Sequence, residues 1–124
     1  MTSKDVLRKC DNPHFEKKEC DARIAVYRMR LSYGNWKRDL VLDVIPGEGM
    51  IKFNIRENNV VDDSCYDAIA PLCEGIGFVR RNKRFELSGK VVTFSEMVNA
   101  VNAALRRLAE RKNQFISLMV GDIK

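Results

Sequence analysis

An alternating apolar–polar stretch broken by turn-forming pairs, followed by two segments with helical spacing, predicts an α+β fold with the helices on one face of an antiparallel sheet. The alternation covers residues 22–56; the helical spacing covers 62–76 and resumes at Thr93. The expected order is a short N-terminal helix, a three-stranded antiparallel meander, a helix, a β-hairpin and a long C-terminal helix. All 124 residues form one domain, long enough to bury roughly two thirds of its unfolded surface.

Residues 1–21 predict a weakly structured segment: a short helix, then a loop. Thr2 or Ser3 caps the helix, Val6, Leu7 and Cys10 face inward, and Asn12-Pro13 stops it. In the meander, Ala25, Tyr27, Met29 and Leu31 alternate with Val26, Arg28 and Arg30. Gly34-Asn35 suits a two-residue type II′ turn with glycine first. That turn sets Tyr33 opposite Trp36, Arg30 opposite Asp39, Met29 opposite Leu40, Tyr27 opposite Leu42 and Ala25 opposite Val44. A second turn at Pro46-Gly47-Glu48-Gly49 sets Ile45 opposite Met50. Val44 then faces Ile51, Leu42 faces Phe53 and Leu40 faces Ile55, with Asp43–Lys52 and Asp39–Arg56 on the outer face. One apolar face and one face of opposite charges result, and a one-residue slip would scramble both.

Residues 62–76 predict a helix. Asp62, Asp63 and Ser64 suit its start, while Tyr66, Ile69, Leu72, Cys73 and Ile76 recur at helical spacing. Pro71 is expected to kink or restart it, and Gly75 and Gly77 to end it. Phe78 to Leu87 predicts a hairpin turning near Asn82-Lys83, of undetermined register. Thr93-Phe94-Ser95-Glu96 has capping-box spacing. Phe94, Met97, Val98, Val101, Leu105 and Leu108 form the stripe of a helix running to about Leu118.

Composition narrows the function classes. No apolar run approaches the roughly 20 residues of a bilayer span, so no membrane partner is expected. The polar start MTSKDVLRKC lacks the apolar core of a signal peptide, and the expected location is cytoplasmic with reduced thiols. The net charge is +5, and it is segregated. Residues 62–77 carry four acids and no base, and residues 78–94 carry five bases and one acid.

Catalytic and metal chemistry find little support. Cys10, His14 and Cys20 are soft ligands close in sequence, but their C-x3-H-x5-C spacing lacks the paired cysteines of a zinc knuckle, and no metal is expected there. Cys65 and Cys73 read as small buried hydrophobes. His14 is the one histidine, which leaves no partner for a nucleophile in a packed core. Gly75-Ile76-Gly77 lacks the lysine and strand–loop–helix setting of a phosphate loop. The expectation is no enzyme and no cofactor. Arg80, Arg81, Lys83, Arg84 and Lys90, with Arg107 and Arg111 on the last helix, are the expected partner-binding residues, through arginine forks and lysine charge.

The element order resembles that of the class I chaperones of type III secretion. Those small proteins hold a secreted effector's segment extended on a sheet-and-helix surface, usually as dimers. The resemblance implies a masking role and a homodimer. That family is typically acidic, however, and no binding residue is carried over from it. Inhibitor-like proteins of phages and mobile elements, which need a rigid surface and no pocket, are an equal expectation. The function read from the sequence is therefore a small binding protein acting on an acidic protein or nucleoprotein complex through its basic surface. The alternative is direct nucleic-acid binding by the same residues.

Overall fold

The computed structural model describes residues 2–58 and 63–123. Along them run α1 (Ser3–Lys9), β1 (Glu16–Asp21), β2 (Ile24–Tyr33), β3 (Trp36–Gly47), β4 (Met50–Glu57), α2 (Asp63–Gly75), β5 (Val79–Arg80), β6 (Phe85–Lys90), α3 (Phe94–Glu110) and α4 (Lys112–Ile123). The strands form one sheet in the order β1-β2-β3-β4-β6-β5, antiparallel at every step.

Gly34 has φ +59°, which glycine adopts freely and a type II′ turn requires at its first central residue. From that turn the β2–β3 register runs as the sequence predicts, from Tyr33–Trp36 through Arg30–Asp39 and Tyr27–Leu42 to Ala25–Val44. The next hairpin differs. Only Glu48 and Gly49 form its turn, with Gly49 at φ +67°, and β3 continues through Pro46 and Gly47, which pair with Ile51 and Met50. The tighter turn adds two pairs to the ladder. Every partner is displaced by two residues from the expected set: Val44 faces Phe53, Leu42 faces Ile55 and Leu40 faces Glu57.

Because side chains alternate with period two, this slip keeps each residue on its face. Leu42, Phe53 and Ile55 remain buried. The outer pairs are re-dealt. Asp43 lies opposite Asn54 and reaches diagonally to Arg56, and Lys52 turns instead to Glu86.

Residues 16–21 are a correction. Expected as a loop, they form the edge strand β1, in register from Glu16–Arg28 to Glu19–Ala25, with an irregularity before Asp21. Its sequence, EKKECD, has no apolar alternation to betray it. Polar contacts hold it instead: Lys17 Nζ donates to the Leu7 carbonyl (2.7 Å) and Ser3 Oγ to the Asp21 carbonyl (3.0 Å). Thr2 caps α1 through a reciprocal box with Asp5, which leaves Ser3 buried beside β1. The Tyr27 hydroxyl, buried under α1, donates to the Cys10 carbonyl at 2.8 Å.

Helix α2 neither restarts nor stops at Pro71, although the proline removes the N–H that would meet the Asp67 carbonyl. It ends in a Schellman arrangement: Gly77 at φ +96° donates to the Glu74 carbonyl and Phe78 N–H to that of Cys73. The expected cap Asp62 lies outside the described residues. Thr93 caps α3 by accepting from Glu96 N–H (3.1 Å), while the Glu96 carboxylate takes the Val92 N–H. The long final helix breaks at Arg111 (φ −104°, ψ 10°), whose N–H turns back to the Leu108 carbonyl, and resumes as α4. The break lets α4 pack on α2 and send Phe115 and Met119 into the core. Phe94, expected in the stripe, is exposed at the helix start.

Side chains from all four helices join the inner row Tyr27, Leu42, Ile55 and Phe85, with Phe53 in the next row, in one apolar cluster. Phe53→Ala should cost about 3–5 kcal/mol by urea denaturation, since a large buried ring is lost. Thr93→Ala should cost about 1 kcal/mol, the worth of an N-cap.

Candidate binding surface

The outer face of the sheet can be assembled from the registers. One row across it reads Glu16, Arg28, Val41, Arg56, with Arg84 one step beyond the last β4–β6 pair. The adjacent row reads Lys18, Val26, Asp43, Asn54, Glu86, Val79. On the other side of the arginine row, Arg30 faces Asp39. Val41, between Arg28 and Arg56, is fully buried though it lies outside the main core, as expected of a valine flanked by two arginine stems.

Acids and bases on this face sit at different heights. Asp39 has 9% of its side chain exposed against 59% for Arg30, which grips it through Nε and Nη2. Asp43 has 11% exposed against 36% for Arg56, whose Nε and Nη2 meet its two oxygens at 2.7 and 3.2 Å. Glu86, at 19%, lies beneath Arg84 (52%, 2.8 Å) and Arg81 (62%, 3.8 Å), and meets Lys52 at 3.3 Å. Burial opposes ionisation of Glu86, but hydrogen bonds from Arg84 and Lys52 still hold its carboxyl below its usual range. The hydrogen bond that Arg30 donates to Asp39, with the charge of that carboxylate, raises the Arg30 guanidinium above its ordinary value. Asp39, Asp43 and Glu86 thus each anchor an arginine from below, and these pairs turn guanidinium groups toward solvent; at the β1 edge the order reverses, with Glu16 (79% exposed) above Arg28 (42%).

The residues singled out in the sequence separate into different roles. Arg80 is structural. It points inward opposite Phe85, lies over the rings of Tyr66 (5.6 Å) and Phe85 (5.9 Å), and is bonded to Asp67 and the Asn82 carbonyl, with Asp63 at 3.6 Å. The acidic and basic stretches adjacent in sequence are therefore joined in space by this one side chain. Arg81, Lys83 and Arg84 surround the hairpin tip, where Asn82 takes φ +58°, and line a shallow concavity of about 380 Å³. Lys90 lies at the other end of β6, opposite Met50, about 17 Å away along the strand. Arg111 closes α3 and donates to the Arg107 carbonyl at 2.9 Å. Arg28, Arg30 and Arg56 are the basic groups that sequence reasoning left out of the site. Their signal was the paired outer face itself, which looks neutral until the heights of its charges are known.

The thiols are closed off. Cys10, Cys65 and Cys73 are buried. Cys10 Sγ faces the Val98 carbonyl at 3.8 Å, and His14 is exposed on the α1–β1 loop. The Cys20 side chain lies outside the described residues. Among the described residues no group of three His, Cys, Asp or Glu side chains is placed to hold a metal ion. No helix among them is long and apolar enough to cross a membrane. Compared with known protein families, curated proteins and solved structures, the chain matches none.

Arg80→Ala should cost about 1–2 kcal/mol, because it removes two ring contacts and an ion pair together. Alanine at Arg81, Lys83 or Arg84 should stay within about 0.5 kcal/mol of wild type in the same melts. Burial lifts the Cys73 thiol from 9.0 to about 12. The unfolded chain therefore releases this proton first, so the associated stability is complete below pH 9 and is lost as the pH climbs toward 12. Denaturation midpoints should fall across that window, and less so in Cys73→Val.

Proposed function

We propose that this protein is a non-enzymatic binding protein that works by protein–protein contact, laying the arginine-lined outer face of its sheet and the β5–β6 hairpin tip against an acidic segment of a protein or nucleoprotein partner. The single observation behind this reading is the layering of the face: Asp39, Asp43 and Glu86 sit low, and Arg30, Arg56, Arg81 and Arg84 stand above them. A guanidinium already oriented by a carboxylate loses little freedom when a second anion arrives, and arginine's planar fork suits carboxylates. Masking of an extended segment, as the resemblance to secretion chaperones implies, and inhibition by occlusion both fit such a face.

Nucleic acid is the other class of anion to weigh. The outer rows of the described strands carry no aromatic side chain, whereas single-stranded nucleic acid is usually held by base stacking as well as charge. Tyr27, Phe53 and Phe85 all face the core. The protein partner is therefore favoured.

Pull-down from the native host, with and without nuclease, tests this. The partner should remain after nuclease treatment. Arg81→Glu with Arg84→Glu should remove it while shifting the thermal midpoint by no more than about 4 °C, as for exposed side chains. If capture vanishes with nuclease, the ligand is nucleic acid; if the charge-reversed protein captures as well as wild type, the basic face is only solvated.

A further inference from the structure

At one corner of the outer face the α1–β1 loop and the first residue of α4 rise beside the sheet and enclose a cavity of about 500 Å³, lined by Pro13, His14, Phe15, Glu16, Arg28, Arg30, Asp39 and Lys112. Its polar groups are sorted by depth. Asp39 lies at the bottom, almost wholly covered, and is held by Arg30. Glu16, which is exposed, is matched by Arg28 at 3.0 Å. The two carboxylates in the wall are thus each met by an arginine of the chain. Lys112, half-buried, lines the cavity and forms no ion pair with any described residue. Asp39 is covered by Arg30 and the rim carboxylate of Glu16 is paired with Arg28, whereas an anion would meet donors of Arg30 and Lys112.

We infer that this corner cavity is the anchor point of the proposed interface, taking an acidic side chain of an extended peptide, with its carboxylate between Lys112 and the outward edge of Arg30. The volume, within the range of small-ligand sites, accommodates one acidic residue and part of its neighbour beside Pro13. The assignment rests on the acidic-partner reading, but it places the strongest contact at the opposite corner from the hairpin tip. Lys112, between the α3–α4 break and the sheet, is then the residue whose charge decides affinity.

The test is a fluorescence-anisotropy titration of the full chain with a fluorescein-labelled hexaglutamate peptide, repeated for Lys112→Gln, Lys112→Glu and Arg81→Glu/Arg84→Glu. Lys112 has no charge partner among the described residues to lose, so both of its variants should keep the wild-type thermal midpoint. Lys112→Glu should weaken peptide binding about tenfold or more, the worth of one charge-assisted contact, and Lys112→Gln by less. Amide shifts on titration should centre on residues 14–16, 28–30, 39 and 112. Wild-type affinity in Lys112→Glu, alongside loss in the hairpin variant, would overturn the anchor and leave the acidic-partner reading standing. Unchanged affinity in every variant would overturn both. No wild-type binding of hexaglutamate overturns the anchor, and the pull-down then decides the broader reading. Displacement of the peptide by equimolar inorganic phosphate would make the occupant a free oxyanion and overturn the peptide assignment.

Discussion

A glycine at φ +59° between Tyr33 and Asn35 leaves the following strand no choice of partner, and from that pairing both faces of the sheet follow. The inner row gathers Tyr27, Leu42 and their neighbours, onto which four helices close. The outer row brings Arg30 over Asp39 and lines up Arg28 with Val41. β4 and β6 extend both patterns and add no new rule. β1 is paired by backbone to a strand already fixed. The helices respond to this surface: α1 covers Tyr27 and α4 reaches the core only because α3 stops at Arg111.

This dependence explains which parts of the fold were legible in the sequence. The first hairpin was, because a turn signal and two alternating runs agree on one register. The second was legible only modulo two, since Pro46-Gly47-Glu48-Gly49 holds two glycines and either a four- or a two-residue turn keeps the apolar face inside. β1 was not legible: at an edge, backbone pairing and a few polar contacts suffice, and Glu16-Lys17-Lys18-Glu19 carries no imprint of burial. Nor was the break at Arg111, since residues on both sides favour helix and the interruption serves the packing of Phe115 against distant elements.

The site was half legible for a related reason. Sequence shows which charges exist and, once register is known, which are neighbours. It does not show which of two paired charges lies deeper. Short aspartates at mid-sheet stay close to the backbone while long arginines extend past them, so mid-sheet pairs that count as balanced in composition present their guanidinium groups to solvent. Arg80 shows the converse: in sequence it stands among the exposed bases of the hairpin, yet it lies under them, stacked on Tyr66 and tied to α2.

The two margins of the sheet are unequal. β5 contributes only two residues, too short to template another chain, whereas β1 offers six at a margin with no further strand beside it among the described residues. Nearly all the side chains of β1 are charged, and Lys17 and Lys18 stand together at its centre. Desolvating them against a neighbouring molecule is unfavourable, which is how natural sheets avoid end-to-end polymerisation. The same edge that escaped detection in the sequence therefore disfavours strand addition by a second molecule, beside a face studded with arginines.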